Sequence, residues 1–245
     1  MLTLIILPTY NEILNVESML RTLREVTPEA SVLVVDDGSP DGTAARAREL
    51  ASELGNIEVL QRASKSGLGG AYRAGFEWGI DRGYDHFVEI DCDFSHDPCS
   101  LPSMLKAAET CDIVIGSRYV EGGSIPKWSF ARLLLSRGGN YYASIMLGLG
   151  VADSTAGFRV YSSKALEVID FQTVAANGYG FQIEMTYRAK CGGASIVEIP
   201  IAFTDRCLGE SKMSRTIVME ALLLVTKLKG RQLIENGQRW LRRLL

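Results

Sequence analysis

Short β-rich apolar runs at residues 2–7, 32–35, 57–60, 86–90 and 113–115 alternate along the chain with stretches patterned as helices. That rhythm predicts βαβ units and a mostly parallel sheet flanked by helices. Helix punctuation supports it: Asp41 precedes Gly42-Thr43-Ala44, Gly55 follows Leu54, and Gly83 closes the segment that begins near Gly69. Further on, strands at 158–161 and 196–199 flank a helical stretch at 181–189, and no internal repeat is visible.

The opening run is broken at Pro8 and lacks a basic leader, so it reads as a first strand rather than a signal peptide. No uncharged apolar stretch reaches the ~18 residues a membrane span needs. The best candidate, 217–225, is interrupted by Glu220, so the sequence predicts no transmembrane helix.

With 245 residues, 47% of them hydrophobic, the chain can bury the core of one large domain. A net charge of −3 excludes a general nucleic-acid binder. The charge is unevenly spread. From residue 227 onward Lys227, Lys229, Arg231, Arg239, Arg242 and Arg243 face only Glu235, a local +5 that leaves −8 for the rest. The division expected is therefore a domain at 1–215 and a basic amphipathic helical tail at 216–245. Five cysteines without a CxxC pair suggest neither a disulfide framework nor a thiolate zinc site, which points to a reducing cytosol.

Chemistry concentrates at strand ends. The run at 86–90 ends in Asp91-Cys92-Asp93. In an extended segment side chains two apart point the same way, so both carboxylates can aim at one hard divalent cation, Mg²⁺ or Mn²⁺. Pro8-Thr9-Tyr10-Asn11-Glu12 and Asp36-Asp37-Gly38-Ser39 follow two other strands. Ligands of open α/β sheets bind beyond such ends, and a carboxylate with an aromatic neighbour suits a nucleotide. A turn followed by a helix cap explains 36–42 equally well. The glycine-rich run 65–72 completes neither GxxxxGK[ST] nor GxGxxG, but Lys65 could still approach a diphosphate.

Six segments in register carry a family resemblance: Pro8-Thr9-Tyr10-Asn11-Glu12, the run 34–43, Asp91-Cys92-Asp93-Phe94-Ser95-His96, Gly116-Ser117-Arg118-Tyr119, Asp153-Ser154-Thr155-Ala156-Gly157-Phe158-Arg159 and Arg206-Cys207-Leu208-Gly209-Glu210-Ser211-Lys212. They resemble the family-2 inverting glycosyltransferases, and more narrowly the polyprenol (dolichol) phosphate mannose synthases. The resemblance implies a GT-A fold that transfers mannose from GDP-mannose to a polyprenyl phosphate. Pro8, Tyr10, Glu12, Val35 and Asp37 would line the guanosine side. Asp91 and Asp93 would hold the metal against the diphosphate beside the Cys92 backbone, with Ser95 where some relatives place a third ligand. Arg206 and Lys212 would close a basic loop over the diphosphate, and Arg118, Arg132 and Ser136 would take the acceptor phosphate. Asp153 would contact the sugar or order Arg159, unless it forms a strand-end salt bridge. A lipid acceptor further implies contact with the cytoplasmic face of a membrane through 125–135 and the tail, with or without an integral membrane partner. Two other readings share these residues: a UDP-glucose-dependent transferase, and a nucleotide-sugar-binding protein without turnover.

Overall fold

Strand β1 (Thr3–Thr9) lies within the sheet, and its side chains divide between two cores. Leu4 and Ile6 face one hydrophobic cluster while Ile5 and Leu7 face the other, all fully buried. A strand covered on both faces loses polar alternation, which is why the run is apolar throughout. The computed structural model describes residues 1–64, 67–205 and 215–244, without the side chains at 215–218 and 235–244.

After β1 come α1 (Val16–Val26), β2 (Ser31–Asp36), α2 (Thr43–Leu54), β3 (Ile57–Gln61), α3 (Leu68–Ile80), β4 (His86–Glu89), α4 (Leu101–Ala108) and β5 (Ile113–Ser117). Then follow α5 (Phe130–Leu147), β6 (Arg159–Ser162), α6 (Ser163–Ile169), α7 (Gly178–Cys191), β7 (Ile196–Pro200) and α8 (Arg215–Leu244). The strands form one sheet in the order β3-β2-β1-β4-β6-β5-β7. Only β6 runs against its neighbours β4 and β5; the other pairs are parallel. The mostly parallel α/β architecture expected from the sequence is the one observed. Helices α1, α2 and α4 cover one face and α3, α5, α7 and α8 the other.

Helix α3 approaches the sheet through glycines. A Cβ on Gly75 would lie 2.6 Å from Ile6 Cγ2, and one on Gly79 2.6 Å from both Leu4 Cδ2 and Phe87 Cε1. Phe87 is held in place by an edge contact with Phe76, so it has little room to yield. Gly79→Val should lower stability by about 2 kcal/mol, the cost of overpacking a well-filled core. A melting midpoint within about one degree of wild type would show that the contact is loose.

Helix α8 is partly integrated: Ala221, Val225 and Leu228 are buried in the larger core. Helix α5 keeps Phe130, Leu134, Tyr141 and Ile145 exposed, and α8 exposes Met219, Leu223, Leu233 and Ile234. Among the described residues no helix is long and apolar enough to cross a membrane.

Candidate active site

Because β1, β2, β4 and β5 share one direction and β6 opposes it, their carboxyl ends and the amino end of β6 deliver loops to the same sheet edge. The loops after β1 and β2 are knitted together there. Backbone N–H groups of Asn11, Glu12 and Ile13 donate to Ser39 Oγ, Thr43 Oγ1 and Asp41 Oδ2 at 2.9, 3.0 and 3.1 Å. Buried Glu12 accepts from Asn15 Nδ2 at 2.8 Å.

The adjacent carboxylates of this wall do different work. Asp36 is fully buried and accepts the Thr9 and Ser39 hydroxyls at 2.9 and 2.6 Å, so it holds the turn. Asp37, also buried, pairs with Arg62 Nη1 at 2.7 Å. Arg62, one residue past β3, belongs to no motif, and nothing in the sequence signals its role. Pro8 and Tyr10 are half-buried. Val35 is fully buried in the core, so its side chain is a floor and not a polar contact.

Beyond β4 the chain turns sharply, with Phe94 at φ +58°. The turn brings the Ser95 N–H to Asp93 Oδ1 at 3.0 Å. The Asp91 side chain is one-third exposed, whereas Asp93 and Ser95 are buried. Tyr72 Oη donates to Asp91 Oδ1 at 3.4 Å, and His96 Nδ1 lies 3.8 Å from Asp91 Oδ2. Burial holds His96 down at about 4, so the ring is neutral near pH 7 and this contact is not an ion pair. His96 also packs between Phe158 and Phe203. The Cys92 side chain is buried in the core and is not available to a ligand. On β4 itself, burial pushes Glu89 up to about 8 despite nearby Arg159, so it is a neutral acid near pH 7.

Among the described residues no three His, Cys, Asp or Glu side chains converge on one point. A magnesium-type site does not require them to. Such ions are commonly held by one or two carboxylates together with substrate phosphates and water. Asp91 and Asp93, hard oxygen donors on one turn at the strand end, fit that mode.

Across the edge, Arg118 and Asp153 form a buried bidentate pair. Arg118 Nε and Nη2 donate to the two Asp153 oxygens at 2.7 and 2.6 Å, and the Arg118 N–H adds a third bond at 3.0 Å. Burial opposes the Arg118 charge, but the hydrogen bonds and charge of Asp153 together outweigh it and raise the arginine's pKa. Asp153 is itself held by Glu198, whose carboxylate accepts the N–H groups of Ala152 and Asp153 at 2.7 and 2.9 Å. The expectation that Asp153 orders Arg159 is corrected here. Arg159 is buried elsewhere and donates to the carbonyls of Ala156 and Ser154 and to Thr186 Oγ1. The salt-bridge alternative describes Asp153, with Arg118 as its partner.

Arg132 stacks on Trp128 at 3.9 Å and shares Asp205 Oδ1 with the indole N–H, at 2.9 and 3.0 Å. Ser136 Oγ accepts the Tyr119 hydroxyl at 2.7 Å. Arg132 and Ser136 open onto a cleft of about 80 Å³ where they and Tyr179 meet Leu135, Ile183 and Val225. Sequence reasoning missed Tyr119, Trp128 and Asp205, which lie in or beside quoted segments but carry no motif of their own. Arg206, Lys212 and Lys65 lie outside the described residues.

The model of glycosyl transferase family 2 matches residues 4–170. An undecaprenyl-phosphate mannosyltransferase of Micrococcus luteus is 51% identical over 227 residues, spanning 93% of each chain. A polyprenol monophosphomannose synthase of Mycolicibacterium smegmatis is 48% identical over 233 residues, 94% of this chain and 88% of its own. Among solved structures, a mycobacterial protein superposes with a TM-score of 0.68 at 16% identity, covering 94% of this chain and 75% of that one. A mannosyltransferase from Pyrobaculum calidifontis, in complex with GDP-Man and Mn²⁺, gives 0.59 at 16% identity, covering 85% and 58%. At these identities the structural likeness speaks to the fold alone.

Proposed function

The chain belongs to glycosyl transferase family 2, and we infer that it transfers mannose from GDP-mannose to polyprenyl phosphate with inversion, releasing GDP. It is an enzyme of that family, which sets aside a binding module without turnover. The observation that carries the reading is the cleft between α5, α7 and α8. Arg132 and Ser136 lie in it beside an apolar wall of Leu135, Ile183 and Val225, a combination suited to a phosphate bearing a hydrocarbon chain. The relatives named for undecaprenyl-phosphate and polyprenol substrates support the same acceptor.

Residues then divide by role. Pro8, Tyr10, Glu12 and Asp37 would line the guanosine side, with Arg206 and Lys212 over the diphosphate. Mg²⁺ or Mn²⁺, held by Asp91 and Asp93 with Ser95 alongside, would supply positive charge against the departing diphosphate. Arg118 and Arg132 would bind and orient the acceptor phosphate, whose second pKa near about 6 leaves it largely ionised at neutral pH. No side chain has to act as a general base.

Residues 1–215 would form the transfer domain, and 216–245 with α5 would contact the membrane. The exposed apolar stripe Phe130, Leu134, Tyr141 and Ile145 supports peripheral attachment. The described cysteines are free thiols, in keeping with a reducing, cytoplasmic side.

One assay tests the reading. The full chain is given labelled GDP-mannose or UDP-glucose, polyprenyl phosphate in detergent or anionic vesicles, and either divalent ion or chelator. Lipid-linked mannose should form with GDP-mannose alone, disappear with chelator, and be accompanied by sedimentation of the protein with vesicles. Product from UDP-glucose only would overturn the sugar assignment. Failure to sediment would overturn the membrane contact.

A further inference from the structure

Helix α5 carries Arg132 and Ser136, yet the pair they must work with, Arg118 and Asp153, sits on sheet-edge loops. Something has to set the rotation of the helix against those loops. Residues four apart share a helix face, so Arg132, Ser136 and Asn140 lie one above another along α5. Asn140 is 2% exposed, and its carboxamide is fully occupied. Its Oδ1 accepts the Ser154 hydroxyl at 3.0 Å and the Thr155 N–H at 3.1 Å. Its Nδ2 donates to the Ser136 carbonyl at 3.1 Å and to Thr155 Oγ1 at 3.0 Å. Thr155 Oγ1 also accepts Arg118 Nη2 at 2.8 Å, so the chain of contacts runs from the helix to the arginine through one side chain.

We propose that Asn140 is a positioning residue whose buried carboxamide locks α5 to loop 153–155, holding Arg132 and Ser136 in register with the Arg118–Asp153 pair. The role rests on the acceptor-phosphate reading of that cleft. A carboxamide offers two acceptor sites and two N–H donors, and all four are used here. Alanine would keep the helix and lose every link. Of the other contacts between helix and site, Tyr119 Oη to Ser136 Oγ and Arg132 to Asp205 are single bonds and Arg137 lies over the Tyr119 ring; none of them reaches loop 153–155.

The test is steady-state kinetics of the full chain with GDP-mannose and a detergent-soluble polyprenyl phosphate, varying each substrate in turn. Asn140→Ala should lower kcat/KM for the lipid phosphate by about 10- to 100-fold, the scale of a ~1 Å misplacement. The KM for GDP-mannose should stay within about twofold, because the four hydrogen bonds of the Asn140 side chain go to Ser136, Ser154 and Thr155 and to no residue of the loops after β1 and β2. Ser154→Ala removes one of the four bonds and should cause a smaller loss confined to the acceptor, which keeps the test open if Asn140→Ala does not fold. Parallel losses for donor and acceptor would reduce Asn140 to a structural role, and wild-type acceptor kinetics in both variants would refute the lock. Arg132→Ala separates this from the underlying reading. If Arg132→Ala leaves acceptor kinetics unchanged, the acceptor site itself is misassigned; if it impairs them while the Asn140 and Ser154 variants do not, only the positioning role falls.

Discussion

Asp93→Asn is expected to leave a folded chain whose transfer rate is lower by about 10³-fold, the scale of losing one preorganised charge contact to the departing group. The substitution keeps shape, and the new carboxamide oxygen can still accept the Ser95 N–H that now bonds to Asp93 Oδ1 at 3.0 Å. Stability should therefore change by no more than about 1 kcal/mol. What is lost is the negative charge, and a neutral amide oxygen is a much poorer ligand for a hard dication than a carboxylate. Raising Mg²⁺ or Mn²⁺ should recover part of the rate, because the defect lies in the holding of the ion. The measurements are transfer rate against metal concentration, and a thermal melt of each protein. A variant within about tenfold of wild type, or wild-type turnover surviving excess chelator, would remove the metal from the mechanism.

The sequence made the strands and their order along the chain legible because each run is short, apolar and bounded by turn residues. It could not show that β6 is reversed. Strand direction depends on the path of the chain between α5 and β6, which leaves no mark on the composition of residues 158–161. The same holds within the site. Asp91 and Asp93 are two apart, so an extended segment would point them the same way, but β4 ends at Glu89 and the pair lies at the turn beyond it, Asp91 one-third exposed and Asp93 buried. Arg118 and Asp153 lie 35 residues apart, and only the fold brings them together. Asp36 and Asp37 are neighbours with identical chemistry, yet Asp36 serves the turn and Asp37 pairs with Arg62. A strand points adjacent side chains to opposite faces, so which of two neighbours meets a ligand is decided by register alone.

The Arg118–Asp153 pair gives the second large effect, and it separates folding from chemistry. Asp153 is fully buried and the Arg118 side chain is 5% exposed, so Asp153→Ala would strand a guanidinium away from water with its bidentate partner gone. Breaking a buried pair from one side costs about 3–5 kcal/mol, because the surviving charge is left uncompensated. For a chain of this size that should lower the melting midpoint by roughly 10 °C. With Asp153 gone, the hydrogen bonds and charge that raise the Arg118 pKa are lost and burial alone opposes its charge, but a guanidinium stays protonated at any working pH, so deprotonation does not relieve the stranded charge. Removing both charges, as Arg118→Met with Asp153→Leu, should recover much of that stability, since apolar replacements of a buried pair are often neutral. Activity should not return with it. On the proposed assignment Arg118 is one of two guanidinium partners of the acceptor phosphate, so kcat/KM for polyprenyl phosphate should stay at least about 10²-fold below wild type. A double variant that regained both stability and acceptor kinetics would mean that the pair only holds the loop. A double variant no more stable than Asp153→Ala would mean that the cost lies in lost packing of loop 153–155 against α5 rather than in the unpaired charge.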